Sequence, residues 1–224
     1  MTEPKFMYRA VIFDLDDTLY DYGQNNGIAM ERLCTFACGK FGITRAEFDC
    51  AFAWAKEQTK ALLGNTGASH NRMLYCQKFL ERLGRNPVDG ALEMYDCYWG
   101  TMLSGMRLRD GTLALLRRLR ADGIKIAICT DLTAHIQHRK IRALGLVPYI
   151  DVLVTSEEAG AEKPSEKMYS LLFEKLRNIL PALKKAECLF AGDSREKDVD
   201  APRRFGMKGT LFTSVDALEK EIYG

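Results

Sequence analysis

The sequence predicts an α/β fold made of a parallel β-sheet with helices on both faces and an all-helical segment inserted after the first strand. Two observations support this. Short apolar runs of strand length alternate with helical patterns in the second half of the chain. Residues from about 20 to 105 instead show four successive helical patterns and no strand-like run. We therefore expect a three-layer Rossmann-like core with an inserted all-α domain.

Five apolar runs are the expected strands, and their consecutive apolar residues are typical of strands buried on both faces. They are AVIF (10–13), IKIAIC (124–129), VLVT (152–155), CLFA (188–191) and GTLF (209–212). Amphipathic segments at 133–145, 165–180 and about 196–206 separate the last four. Strand–helix–strand order predicts parallel pairing, because a crossover helix returns the chain to the same end of the sheet.

The inserted segment carries its own helix boundaries. Glycines 42, 64 and 84 stand where helical patterns stop, as is common for glycine just after a helix. The stretch TRAE, Thr44 to Glu47, has the spacing of a capping box at a helix start. We expect a core domain of residues 1–19 and 106–224 and a helical domain of residues 20–105.

Composition excludes several classes of protein. Of the 224 residues, 32 are basic and 30 acidic, and this net charge of +2 argues against a nucleic-acid or membrane surface. No signal peptide or long apolar run is visible, so a cytoplasmic location is expected. Seven cysteines without a CxxC pair favour reduced, buried thiols over disulfides or zinc ligation. Oligomeric state cannot be predicted from these features.

Polar residues follow the carboxyl ends of the expected strands. They are Asp14 and Asp16 after the first, Thr130 and Asp131 after the second, Lys163 some residues after the third, and Asp193 and Asp198 after the fourth. In an open parallel sheet these ends meet at one edge, where ligands bind. The separate motifs therefore predict one site.

The residue types at this site favour phosphoryl transfer. Four carboxylates, Asp14, Asp16, Asp193 and Asp198, would repel one another without a cation. Oxygen ligands without His or Cys favour a hard cation such as Mg²⁺. Lys163 and the Thr130 hydroxyl can bind phosphoryl oxygens by charge and by hydrogen bonding.

Four segments, in this order, resemble the motifs of the haloacid dehalogenase (HAD) superfamily of aspartate-nucleophile hydrolases. They are DLDDT for DxDx(T/V), ICT for the apolar run ending in Thr or Ser, EKPS for the Lys-Pro motif and GDSREKD for GDxxxxD. The helical segment between the first two resembles the cap of this family.

The resemblance implies a Mg²⁺-dependent phosphatase acting on a small phosphorylated metabolite. Asp14 would attack phosphorus to form an aspartyl-phosphate, and Asp16 would protonate the leaving oxygen and later deprotonate water. Asp14, the Asp16 backbone carbonyl and Asp193 would bind Mg²⁺, with Asp198 as a further ligand or a support for the others. Thr130 and Lys163 would bind the phosphate.

Two residues depart from the common family pattern. Asp17 stands where Gly is frequent, and we expect it to serve the turn, since Asp tolerates left-handed backbone. Asp131 stands where Asn is frequent, and we expect its carboxylate to point away from the phosphate.

Three other functions remain open at the level of sequence. A haloacid dehalogenase would need Asp14 but no leaving-group acid, so Asp16 argues against it. A sugar-phosphate mutase would return the phosphoryl group to a sugar and has the same motifs. A non-catalytic binding protein on this fold is disfavoured because no catalytic position is substituted.

Overall fold

The structure, a computed structural model, describes residues 7–224 and divides into two compact units. One unit contains the chain up to Asp21 together with Arg107–Gly224, and the other is Tyr22–Met106. The first six residues of the expected core domain lie outside the described residues. We refer to the two units as the core unit and the helical unit.

The core unit contains a five-stranded parallel sheet, which confirms the predicted fold class. Its strands are β1 (Ala10–Phe13), β2 (Lys125–Thr130), β3 (Val152–Thr155), β4 (Cys188–Gly192) and β5 (Lys208–Leu211), in the order β3-β2-β1-β4-β5. The strand order reverses between β1 and β4, because the chain builds outward from β1 to β3 and then crosses to the other side. Ligands bind at such a switch point in open α/β sheets.

The helical unit contains α1 (Tyr22–Phe41), α2 (Arg45–Leu63), α3 (Arg72–Arg82) and α4 (Ala91–Gly105), with short 3₁₀ turns at Gly67–His70 and Pro87–Asp89. The predicted capping box is present, since Thr44 and Glu47 satisfy each other's backbone N–H groups at the start of α2. Gly42, Gly64 and Gly84 all have positive φ, as expected at helix ends. The helix boundaries of this segment are therefore encoded locally.

Within the described residues the core unit also contains the α-helices α5 (Thr112–Ala121), α6 (Ala134–Ala143), α7 (Ser156–Ala159), α8 (Glu166–Ile179), α9 (Ala201–Phe205) and α10 (Val215–Tyr223). Apolar side chains of α8, including Met168 and Leu172, pack in one cluster with Ala10 and Ile12 of β1. Burial of this kind supplies most of the stability that holds the strands in register.

Two expectations from composition can be compared with the structure. All seven cysteines are free thiols, and four are buried, but Cys50 is exposed. Within residues 7–224 no helix has the length and apolar character needed to cross a membrane.

Candidate active site

Asp14 and Lys163 form a buried ion pair at the centre of the candidate site. Asp14 directly follows β1, and the Lys163 ammonium donates to its Oδ1 at 2.8 Å. The same ammonium donates to Oδ1 of Asp198 at 2.6 Å, and all three side chains are buried. Residues more than 180 positions apart in the sequence therefore meet at the switch point of the sheet.

Asp193 joins Asp14 and Asp198 in an acidic cluster. One carboxylate oxygen from each lies within 4.8 Å of the other two, and Asp193 is the exposed member. Together with Lys163 the cluster carries a formal charge of −2, which a divalent cation would neutralise. The oxygen-only donor set and this charge fit Mg²⁺.

The electrostatic environment affects the pKa of both partners in the central pair. Burial raises the pKa of Asp14 to about 7, with Lys163 opposing the rise and Asp198 adding to it. Burial disfavours the charged form of Lys163, but Asp14 and Asp198 outweigh it and hold its pKa well above the usual range. A divalent cation beside Asp14 would lower its pKa, since opposite charge favours the ionised form.

Asp198 is held by an irregular turn after β4. It lies on a single-turn π-helix (Arg195–Asp200), a form found often at functional sites. The Ser194 N–H donates to its Oδ2 at 3.0 Å. A Cβ added to Gly192 would lie 2.7 Å from Cβ of Asp198 and closer still to its carboxylate. Gly192 therefore allows Asp198 to pack against the end of β4.

Thr18 links the segment after β1 to the segment after β4, a contact that the sequence reasoning missed. Its hydroxyl accepts from the Asp193 N–H at 3.1 Å and lies 3.4 Å from Asp14 Oδ2 and 3.5 Å from Asp193 Oδ1. A hydroxyl has one proton, so it can donate to only one of these carboxylates at a time. The sequence signal that could have indicated this contact is Thr18 itself, the last residue of the DLDDT motif.

Asp17 supports the turn between β1 and the helical unit, as the sequence predicts. Its φ of +60° is in the left-handed region. The Arg109 guanidinium donates to the backbone carbonyls of Asp17 at 2.8 Å and Thr18 at 3.0 Å. Arg109 thus fixes the backbone that follows the two candidate catalytic aspartates.

The Asp16 side chain lies in a separate polar contact. The Lys140 ammonium donates to both of its carboxylate oxygens at 2.7 Å, and the Tyr20 hydroxyl donates to Oδ1 at 2.5 Å. Lys140 is fully buried on α6. The Asp16 carboxylate is not part of the three-aspartate cluster, so its predicted contribution to a metal site would come from its backbone carbonyl alone.

Thr130 ends β2 at the same edge of the sheet, but its hydroxyl is bonded locally. It accepts from Gln137 Nε2 at 2.7 Å and donates to the Asp131 carbonyl at 3.3 Å. Within residues 7–224 it makes no hydrogen bond to Asp14 or Lys163. Gln137 was also missed from the sequence.

Asp131 connects two segments of the site. Its Oδ1 accepts from the Lys163 backbone N–H at 2.9 Å, and its Oδ2 accepts from the Lys197 ammonium at 2.9 Å. The charge of Asp131 is therefore paired, and the residue holds the Lys163 segment against the turn that carries Asp198. The sequence did not indicate this positioning role.

A Rossmann-like sheet with a buried aspartate–lysine pair and an acidic cluster at its switch point defines an α/β enzyme with a carboxylate-based active site. The chain belongs to the haloacid dehalogenase-like hydrolase family, whose sequence profile matches residues 8–206. The family resemblance predicted from the four motifs is thereby confirmed.

Several known proteins are similar to this chain over most of its length. A ribulose-1,5-bisphosphate 5-phosphatase of Halopiger xanaduensis is 36% identical, covering 92% of this chain and 85% of its own length. A glyceraldehyde 3-phosphate phosphatase of Methanocaldococcus jannaschii is 25% identical, covering 90% and 83%. The magnesium-bound crystal structure of the HAD-hydrolase YfnB from Bacillus subtilis aligns with a TM-score of 0.68 at 19% identity, covering 96% and 98%, and shows the shared fold.

Proposed function

We propose that the protein is a Mg²⁺-dependent phosphatase that hydrolyses a phosphate monoester of a small sugar metabolite. The observation that carries this proposal is the buried Asp14–Lys163 pair beside an oxygen-only acidic cluster. The relatives named as phosphatases support the reaction class. Ribulose 1,5-bisphosphate is the first substrate to test, because the relative at 36% identity is named for it.

The candidate metal ligands are Asp14, Asp193 and the backbone carbonyl of Asp16, with Asp198 as a further ligand or as a support for Lys163. When bound, Mg²⁺ would supply positive charge for the phosphoryl oxygens and for the developing transition state. The −2 charge of the cluster with Lys163 is the feature of this chain that fits such an ion.

In the first proposed step, a carboxylate oxygen of Asp14 attacks phosphorus as the ester P–O bond breaks. Asp16 gives a proton to the leaving oxygen, so the alcohol departs neutral. Lys163 and Thr130 bind the phosphoryl oxygens, which requires the Lys163 ammonium to share its donors between Asp14 and the substrate. The product of this step is an aspartyl-phosphate on Asp14.

In the second proposed step, water attacks the phosphorus of the aspartyl-phosphate. Asp16 takes a proton from that water, inorganic phosphate leaves and Asp14 is regenerated as a carboxylate. In the structure Lys140 and Tyr20 contact the Asp16 carboxylate, and Asp16 must release one of these contacts when it carries the proton. A dehalogenase would need no such group, so this arrangement favours phosphate ester hydrolysis.

The test is phosphate release by the purified protein from ribulose 1,5-bisphosphate, glyceraldehyde 3-phosphate and a wider panel of sugar phosphates. We expect turnover that depends on Mg²⁺ and stops in EDTA. The absence of phosphate release from every substrate would favour a binding protein. Release that needs a bisphosphate activator and is accompanied by an isomeric sugar phosphate would favour a mutase.

A further inference from the structure

The helical unit has a cavity of about 390 Å³ whose lining residues all lie within Tyr22–Met106. None of them belongs to the candidate active site described above. The polar and charged residues that line it are Tyr22, Asn26, Asp49, Lys56 and Arg72. Aromatic rings, including those of Phe52 and Tyr75, form the apolar part of its wall. The cavity thus has the mixed lining typical of small-molecule sites.

Arg72 is held in the cavity wall without an acidic partner. Its guanidinium donates to the Tyr22 hydroxyl at 2.6 Å and to the His70 carbonyl at 2.8 Å, and it lies over the Tyr75 ring at 5.3 Å. Within the described part of the chain it forms no ion pair with a carboxylate. The Tyr98 hydroxyl also contacts the Arg72 side chain. An arginine has five N–H donors in a planar fork that matches phosphate, so these three contacts still leave donors for a ligand.

Lys56 adds a second positive charge to the cavity. Partial burial, with the positive charges of Lys60 and Arg72, lowers its pKa, and no carboxylate of residues 7–224 forms an ion pair with it. Asp49 also lines the cavity, but the Arg45 guanidinium pairs with its carboxylate at 2.9 Å. The electrostatic balance of the lining is therefore positive.

We propose that this cavity binds the phosphate group of a small phosphorylated molecule. Arg72 would contact the phosphate oxygens through its remaining N–H groups, and Lys56 would approach the same oxygens from α2. The aromatic wall would contact the organic part of the ligand. The ligand that fits this chemistry is a phosphorylated effector distinct from the substrate of the proposed reaction, so the inference does not depend on the proposed function.

Tryptophan fluorescence offers a direct test, because both tryptophans of the chain, Trp54 and Trp99, are in the helical unit. Trp99 packs edge-on against Tyr98 at 4.9 Å, and Arg72 lies over that Tyr98 ring at 5.4 Å. The wild-type protein in EDTA, where turnover is stopped, is titrated with ribose 5-phosphate and, as a neutral control, with ribose. We expect a saturable change with the phosphate alone.

Four variants locate the binding. Arg72→Gln and Lys56→Gln should each raise the Kd for ribose 5-phosphate about tenfold or more, since each removes a charged hydrogen bond. Arg82→Gln and Lys60→Gln, exposed residues on the same two helices and outside the cavity lining, should leave it unchanged. If Arg72→Gln fails to fold by circular dichroism, the Kd of Lys56→Gln decides. Equal Kd values in all five proteins, or no saturable signal in the wild type, would overturn the proposal.

Steady-state kinetics give a second test of the effector site. A KM that rises in Arg72→Gln more for a sugar bisphosphate than for the matching monophosphate would overturn the assignment to an effector. If the ligand is an effector, the Kd from fluorescence rises in the variant while KM for either substrate is unchanged. The fluorescence titration stays interpretable even if no phosphatase activity is found, so failure of one proposal is distinguishable from failure of the other.

Discussion

Asp14 combines deep burial, a lysine partner and a position directly after the central strand. Replacing it with Asn keeps the size of the side chain but removes the nucleophilic carboxylate. We expect Asp14→Asn to lower kcat at least about a thousandfold, because the covalent step is lost.

The matched control for Asp14→Asn is Asp200→Asn. Asp200 lies on the same turn as Asp198 but pairs with Arg195, a residue at the surface, at 3.4 Å. The activity of Asp200→Asn should stay within about threefold of wild type, as for most surface changes. Phosphate release in the presence of Mg²⁺ measures the activity of both variants. A near-normal kcat in Asp14→Asn would show that the nucleophile is another residue.

Asp17 is adjacent to the candidate acid–base residue yet has a backbone role. Asp17→Gly should keep activity and change the free energy of unfolding by less than about 1 kcal/mol, since Gly adopts a φ of +60° without steric conflict. Asp17→Val should destabilise the protein by about 1–2 kcal/mol, because a β-branched residue is strained there. Urea unfolding compares the two. A loss of turnover in Asp17→Gly with normal stability would instead assign the carboxylate to catalysis.

Lys140 is the positioning residue that holds Asp16. Lys140→Met should lower kcat by about tenfold to a hundredfold with a smaller change in KM, because Asp16 would lose its fixed orientation in acid–base catalysis. Arg142→Gln, an exposed change on the same helix, is the control. If KM rose while kcat stayed constant, Lys140 would be assigned to substrate binding instead.

The four motifs predicted which residues would meet at the switch point, because chain order and strand ends fix that edge of the sheet. They could not indicate Lys140, whose partner Asp16 is 124 residues away. A weaker signal was present: Gln137 and Lys140 fall on the face of α6 that also carries Ile136 and Ile141. Two long polar side chains on an apolar helix face require buried partners.

At the scale of elements, the strand and helix pattern was readable because apolar periodicity is a local property. The helices α7 and α10 were not predicted. A further difference follows β4, where one helix over about 196–206 was expected. The structure instead has the π-helical turn and then α9, with Pro202 at its first turn. The periodicity of apolar residues cannot distinguish one continuous helix from a π-helical turn followed by α9, since the turn depends on the packing of Asp198 against Gly192.

Gly192 couples β4 to this turn. Gly192→Ala would push its Cβ into Asp198, and we expect a loss of about 1–3 kcal/mol in the free energy of unfolding, as for other overpacked sites. Mg²⁺-dependent activity should fall as well, because Asp198 would be displaced. Gly100→Ala is the control, since its Cβ meets nothing within 4 Å on α4 and should be neutral or stabilising. Equal stability of the two variants would show that the turn tolerates the shift.

For the whole molecule, the acidic cluster makes stability dependent on pH when no cation is bound. The pKa of Asp14 is about 7 in the folded protein and about 3.9 in an unfolded chain. The folded state therefore binds this proton more tightly, so the stabilising contribution of Asp14 is full below pH ~4 and is lost as the pH rises to about 7. In EDTA, urea unfolding should show wild type losing stability relative to Asp14→Asn between about pH 4 and 7. If the free energies of unfolding of wild type and Asp14→Asn differed by a constant amount, Asp14 would be ionised over the whole pH range measured.

Mg²⁺ should reverse that loss, because an ion that binds the folded state alone stabilises it by mass action, by about 2.7 kcal/mol at a hundred times its Kd. Thermal unfolding at pH 8 should show a rise in Tm with Mg²⁺ that is smaller in Asp193→Asn, which removes an exposed member of the cluster. Asp200→Asn should keep the full rise, since its carboxylate is outside the cluster. An equal rise in Tm with Mg²⁺ in wild type, Asp193→Asn and Asp200→Asn would show that the ion binds elsewhere. The measurement needs no substrate, so it tests the metal site independently of the reaction.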